Sequence, residues 1–359
     1  GEITEYIDSG VRYRSHTFRG SGRFYAEQNM SNCDILVIAG GGSGGMHSTV
    51  NGNGGGGAGG VVTQTQVTIP QGYNVCQVGA GAAPIIGMAG DTPGMRGADS
   101  KFTYGSTTLH SIGGGGGSGG ATAVKAASIN YVRSLVTPFS TDVATTHDGG
   151  SGGGCSQYNS LAGATIQHSA GTPTDVLQNI ISYGNAGATH PTQSHTGGGG
   201  GGAGGPGMPG GVVSGWTTNS WPSGNGGIGI VNNWRTGEDE YLAGGAGGGG
   251  NSSERAGNGM FGGGRGYSSA NYGYPDTAEV APGVWAAANP SNPNKYMTQL
   301  DALWPTGNQV WIMRDNYYYL AGAGITGAEQ FGGAGMMDPY TKGSRYVNGL
   351  RSTGGGGGG

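Results

Sequence analysis

The sequence predicts a mainly β and irregular fold: a small N-terminal β region followed by a bundle of packed polyglycine II helices, with projecting loop insertions and one or two short helices. Three observations carry this expectation. Glycine accounts for 86 of 359 residues, where roughly 7% is usual. Leu, Ile, Val and Phe together number 52, too few for a side-chain core in proportion to the length. Apolar or aromatic segments run repeatedly into glycine tracts, as in "TTLHSIGGGGGSGG", "DEYLAGGAGGGG" and "NYYYLAGAGITG".

Residues 1–83 read as the β-rich region leading into the first tracts. "VRYRSHTFRGSGRFYA" alternates around Gly-Ser-Gly and predicts a hairpin. "CDILVIAG" predicts a short buried strand, with Asp34–Ala39 at its centre. Val61–Ile69 and Tyr73–Val78 predict two more strands around a Pro-Gln-Gly turn.

Residues 84–359 read as the glycine body, with insertions at about 121–148, 156–196, 212–243 and 267–319. A run such as Gly197–Gly202 has no side chains to bury. In a polyproline II-like helix it rises ~3.1 Å per residue and makes no internal hydrogen bonds. Its amide and carbonyl groups must then find partners on neighbouring segments. In this reading close packing of tracts replaces an apolar core, against the large entropic cost of ordering glycine. No repeat of 20–50 residues is visible, which argues against a solenoid of copies.

Two insertions predict helices. "ATAVKAASINYVRSLV" places Val124, Ala127, Tyr131 and Leu135 at helical spacing. "TPTDVLQNIISYG" offers Thr172 as a cap, Pro173 in the first turn and Gly184 as a stop. The aromatic segments 216–234 and 267–319 read as long loops.

Several function classes are disfavoured. The net charge is −4 and only 10% of residues are charged, with no basic block for nucleic acid. No apolar run approaches the ~18 residues of a membrane helix. Gly40, Gly42 and Gly45 have the spacing of a dinucleotide-binding turn. That motif needs a following helix and an acidic residue ~20 positions on. Glycine dominates the next segment, and no Asp or Glu occurs between Asp34 and Asp91. Cys33, Cys76 and Cys155 are too scattered for a disulfide framework or zinc site. Cys33 and Cys76 could pair, although free buried thiols are the favoured reading.

Candidate chemistry is sparse. His190 and His195 could join His168 at a metal, but spacing suggests no carboxylate or thiolate partner. The acidic run Glu238–Glu240 offers too few oxygens for calcium and reads as a solvated turn. No G-x-S-x-G elbow occurs. Neither enzymatic activity nor a cofactor or metal is expected. The aromatic residues are more informative. Trp216, Trp221 and Trp234 fall in one insertion, and Trp285, Trp304 and Trp311 in another, near Tyr267, Tyr272 and Tyr274. Their flat faces and polar edges suit sugars and protein interfaces. They equally suit small cores that anchor each insertion.

The ordered series "YRSHTFRGSGRFYA…CDILVIAGGGSGG…GGGGAGGVVTQTQVTIPQGYNVCQVGAGAAP" resembles the glycine-rich domain of many phage virion proteins, including tail fibres and adhesins of marine phages. The matching segments are His16–Phe24, Ile35–Gly45, Gly54–Gly60 and Val75–Gly81. The resemblance implies a virion structural protein, a tail-fibre or adhesin component whose loops recognise a host surface glycan or outer-membrane protein. It also implies other virion proteins as partners, homo-oligomeric assembly, no nucleic acid and no membrane insertion. Alternatives are a capsid decoration protein or head fibre, or a self-assembling filament at the cell exterior. Relatives often end on a final apolar strand, whereas this sequence ends "STGGGGGG"; a trimmed strand, or one from a neighbouring chain, is the expectation.

Overall fold

The computed structural model describes residues 1–46, 52–83, 92–119, 147–156, 162–167, 173–175, 179–189, 196–210, 223–250, 257, 259, 263, 279–281, 284–285, 311–314, 317–320 and 354–357. Among them every regular element is a β-strand.

The chain opens with a hairpin of β1 (Glu2–Asp8) and β2 (Val11–Thr17), in which Glu2 faces Thr17 and Asp8 faces Val11. The two-residue loop closes it. Ser9 has φ 49° and Gly10 φ 81°, a left-handed pair whose twist suits the flanking strands. The hairpin expected across Gly20–Gly22 is therefore not made. β2 pairs back with β1, and β3 (Gly22–Ala26) pairs with β6 (Gly72–Gln77).

β4 (Met30–Ile38) and β5 (Val61–Ile69) pair along their lengths. Each carries one extra residue in the left-handed region, Asn32 at φ 56° and Gln66 at φ 56°. The register slips at the first and returns at the second. These are compensating β-bulges, and Asp34 Oδ1 accepts the Gln66 amide at 2.9 Å. β7 (Ser100–Tyr104) and β8 (Thr107–Ser111) extend the sheet begun by β3 and β6, giving the order β3-β6-β7-β8. β9 (Pro173–Asp175) and β10 (Ile180–Tyr183) complete a second sheet, β4-β5-β10-β9.

The two four-stranded sheets enclose the main apolar cluster: Ala26, Ile35, Val37, Val62, Ile69, Tyr104 and Leu109, with Phe24 and Phe102 against it. Alternation along β4 sends Ile35 and Val37 into this core. Leu36 and Ile38 point the other way, onto a second cluster of Ala58, Val61, Ala203 and Ala243. Both faces of β4 are covered, which accounts for the uninterrupted apolar run in "CDILVIAG".

Glycine segments form that second cover. Residues 52–60, 112–118 and 243–250 are buried throughout. Their backbone groups bond laterally. The amides of Ala39, Gly42 and Gly45 donate to the carbonyls of Gly60, Gly57 and Gly54; those of Gly40, Ser43 and Met46 donate to Ala98, Met95 and Thr92. The carbonyls of Gly40 and Ser43 in turn accept from Gly114 and Gly117. The segment Gly40–Gly45 is therefore bonded laterally to neighbouring segments. The terminal segment lies among the others: Gly357 donates to Gly42 and accepts from Gly56. Close approach demands glycine here, since a Cβ on Gly56 would overlap the carbonyl of Gly42. Side chains fill gaps in this backbone network. Asn185 Nδ2 donates to the carbonyls of Gly202 and Ala203 at 2.9 and 3.0 Å, and Ser223 Oγ to that of Gly249 at 2.7 Å.

These findings correct the expected fold class. A polyglycine II bundle with projecting loops and short helices is not the architecture: the described residues contain no helix, and their regular structure consists of β-sheets. The described glycine segments lie outside any regular element. The helix expected over Thr172–Gly184 is instead β9 and β10. Ile180–Tyr183 pairs with Val61–Gln64, and this long-range pairing of β-branched residues overrides a weak local helix signal. The helix expected around Val124–Leu135 lies outside the described residues. The aromatic insertions also hold strands where loops were expected. β11 (Ile230–Asn232) pairs with β12 (Glu240–Leu242), β13 (Glu279–Ala281) with β14 (Val284–Trp285), and β15 (Trp311–Arg314) with β16 (Tyr317–Leu320).

Candidate binding surface

The outward face of the β3-β6-β7-β8 sheet carries the clearest candidate site. Strand alternation builds it. Phe24, Ala26, Asn74 and Cys76 turn inward, leaving Arg23, Tyr25, Tyr73 and Val75 outside. Tyr25 lies directly opposite Tyr73, and Arg23 opposite Val75. The tyrosine rings are 4.9 Å apart at a 52° tilt, and the Arg23 guanidinium lies over Tyr73 at 5.8 Å. Tyr73 is 71% exposed and Tyr25 53%. Two aromatic faces with hydroxyl edges and a cation thus sit on a rigid support, a combination suited to stacking against a flat ligand.

A second exposed surface belongs to the β1–β2 hairpin. Its docked side stacks Tyr6 on Tyr13 at 5.2 Å. Tyr6 donates its hydroxyl to the carbonyl of Trp234 at 3.1 Å, and Thr4 Oγ1 donates to that of Arg235. Burial, then the neighbouring Tyr13 and Asp8, pushes the Tyr6 hydroxyl above its ordinary value, so it remains a donor. The other side exposes Ile3 and Ile7 beside Glu5, whose carboxylate accepts from Arg12 and Arg14. Those hydrogen bonds hold Glu5 below the usual carboxylate range.

A buried polar cluster ties the sheet to the glycine segments. Asp99 Oδ1 accepts from Arg96 Nη2 at 2.9 Å and from the Gly113 amide at 2.8 Å, while Oδ2 meets His110 Nε2 at 2.9 Å. Burial alone would raise the Asp99 carboxyl. The His110 hydrogen bond, the Arg96 charge and the Gly113 amide outweigh it and hold the carboxyl below its ordinary value. The role of this cluster is to anchor backbone.

All three cysteines are free. Burial pushes the Cys76 thiol up to about 11 and the Cys155 thiol up to about 12, far from the range of reactive thiolates. Among the described residues no group of three His, Cys, Asp or Glu could hold a metal ion.

The aromatic residues singled out from sequence fare unevenly. Trp216, Trp221, Trp304, Tyr267, Tyr272 and Tyr274 lie outside the described residues, as do His168, His190 and His195. Trp285 and Trp311 are placed by their backbones in β14 and β15, in different hairpins. Trp234 is half-buried in the turn that supports Tyr6. Of the run Glu238–Glu240, the first two residues are exposed, and Glu240 accepts from Arg235 Nε at 2.9 Å. The Tyr25–Tyr73 platform was missed. Carrying the period of two through "GRFYA" and "GYNVCQ" finds it, because Phe24 and Cys76 in the core force both tyrosines outward.

Comparison with curated proteins finds no match. The glycine-rich domain family model matches residues 17–289, well over half of the 359-residue chain. That span contains β3 through β14, both four-stranded sheets and most of the described glycine segments, and the chain belongs to the glycine-rich domain family.

Proposed function

We propose that this chain is a non-enzymatic structural component of a phage virion, a tail-fibre or adhesin element that attaches to the host cell surface. The observation that carries the proposal is the exposed Tyr25–Tyr73 platform on a sheet backed by an apolar core and locked glycine segments. Rigid aromatic surface lowers the ordering cost of binding. Fluorescently labelled chain, applied to a panel of bacterial strains, is expected to coat susceptible strains and slow phage attachment to them. A chain that coats no strain and leaves attachment unchanged would overturn the proposal. Immunogold labelling of virions with antibody to the chain separates tail from capsid location.

Self-assembly into a fibre is a second reading, favoured by one observation. β1 and β2 form a two-stranded sheet with no further strand beside either edge among the described residues, and Ile3, Ile7 and Val11 are exposed on it. Such edges template pairing with another chain. Sedimentation at rising concentration is expected to show association that Ile7→Lys abolishes; a strictly monomeric chain removes this reading.

A further inference from the structure

The four strands under the tyrosine platform carry two cations and no carboxylate. Over the full sequence, Asp and Glu outnumber Lys and Arg by 20 to 16. Yet "GRFYA", "GYNVCQ", "SKFTY" and "TTLHS" contain no carboxylate. Register places Arg23 beside Val75, Val75 beside Thr103, and Lys101 beside Gln77. Arg23 and Lys101 therefore share the outward face, two strands across and two residues along, about 12 Å apart. Neither is in an ion pair among the described residues. Two carboxylates lie just beyond the strands. Asp99 is taken up by Arg96, His110 and the Gly113 amide, and Glu27 is exposed just past the end of β3.

The rest of the face is polar. The hydroxyls of Thr103 and Thr108 meet at 3.0 Å, and Val75 is the one exposed aliphatic residue on these strands. Four strands of about five residues cover roughly 20 by 17 Å, on the order of 340 Å². A stable protein interface needs about 800 Å² per partner around a desolvated apolar centre. The face is too small and too polar for that. It matches instead a narrow, extended ligand with flat apolar ring faces, many hydroxyls and periodic negative charge. Guanidinium recognises carboxylate with directed, charge-assisted hydrogen bonds, and tyrosine faces accept the C–H surface of a pyranose ring.

We infer that the outward face of the β3-β6-β7-β8 sheet binds an acidic polysaccharide. Tyr25 and Tyr73 stack sugar rings, while Arg23 and Lys101 take the carboxylates of successive units. The inference rests on the host-attachment proposal and names the chemistry of the attached surface.

The test measures binding of the full-length chain to immobilised polygalacturonate, dextran and polyaspartate. Binding is expected on polygalacturonate, not on dextran, and to weaken as NaCl rises from 50 to 300 mM. Arg23→Gln combined with Lys101→Gln should weaken it at least tenfold and remove most of the salt dependence. Tyr73→Ala should weaken it about tenfold at unchanged salt dependence. Arg23 and Tyr73 are exposed and Lys101 is half-buried, and each variant is expected to melt like the parent. Equal binding to dextran, or a double variant that binds polygalacturonate like the parent, overturns the inference. Equal binding to polyaspartate overturns it in favour of an acidic peptide. Cell coating separates this from the wider proposal. A double variant that coats cells as the parent does leaves host attachment standing and overturns this face. A parent chain that holds polygalacturonate but coats no cell supports the face and overturns host attachment.

Discussion

At the scale of single residues, stability rests on positions where charge or bulk is tightly constrained. Asp99 is the clearest. Its side chain is 16% exposed, and its partners Arg96 and His110 are 7% and 11% exposed. Asp99→Ala removes a counter-charge from beside a buried guanidinium and should cost about 3 kcal/mol, read by urea denaturation at neutral pH. The pH dependence follows from the direction of the shift. The folded carboxyl lies below its ordinary value of 3.8, so the unfolded chain takes up a proton first as pH falls. The contribution of Asp99 is complete above about pH 4 and is lost as pH falls through the lower folded value. Asp99→Asn should accordingly flatten the acid limb of the stability profile; an acid limb as steep as the parent's would show that other carboxylates set it. Gly56 is constrained sterically. A Cβ there would overlap backbone that cannot swing aside, and Gly56→Ala should cost about 3 kcal/mol. At Gly20 nothing lies within 4 Å of an added Cβ, and Gly20→Ala should stay within about 0.5 kcal/mol. Thermal melts of the two variants distinguish packed glycine from merely abundant glycine.

At the scale of elements, the β1–β2 hairpin is held to the other described residues by few contacts, among them the edge of His16 against Phe24 at 5.0 Å. Tyr6 and Thr4 donate to the turn at Trp234 and Arg235, and stacking of Tyr6 on Tyr13 completes the docked side. Tyr6→Phe removes one of two hydrogen bonds while keeping the ring, at a cost of about 1 kcal/mol. Amides of Glu2–Thr17 should then exchange several-fold faster, while those of β4 and β5 keep the parent rate; uniform acceleration would mean that the hairpin unfolds only with the whole chain. The same elements explain which strands could be read from sequence. Val61–Ile69 is β5 as expected, and the strand expected at Tyr73–Val78 is β6 shifted by one residue, because β-branched alternation bounded by Pro and Gly is a local signal. Pairing is not local. β5 and β6 adjoin in sequence but belong to different sheets. β2 turned away from β3 because Ser9–Gly10 closes a tighter turn. Ile180–Tyr183 became a strand through contact with residues more than a hundred positions away, which no window of sequence records.

At the scale of the whole molecule, glycine hides its partners. Leu36 and Ile38 announce a buried face by their chemistry, whereas Gly42, bonded to Gly57 and Gly357, carries no side chain whose pattern could name either. Abundance of glycine was plain in the sequence, and its lateral bonding was expected, but the regular structure is β, and the exposed tyrosine pair lies on a sheet. Tyr25 and Tyr73 carry no local mark of exposure; only the strand alternation and pairing of β3 and β6 set them together on the outer face. The resulting division of labour has a calorimetric consequence. Burying apolar surface raises the heat-capacity change of unfolding, and burying polar backbone lowers it. Among the described residues the apolar clusters are small, while long buried segments such as 52–60 and 243–250 contribute mainly peptide groups. Scanning calorimetry at several pH values should give a heat-capacity change per residue well under the ~12–15 cal/mol/K typical of globular proteins. A value in the typical range would mean that apolar burial outside these clusters dominates stability. A low value, with glycine-segment amides exchanging as slowly as those of β4 and β5, would identify backbone hydrogen bonding between glycine segments as part of the cooperative core.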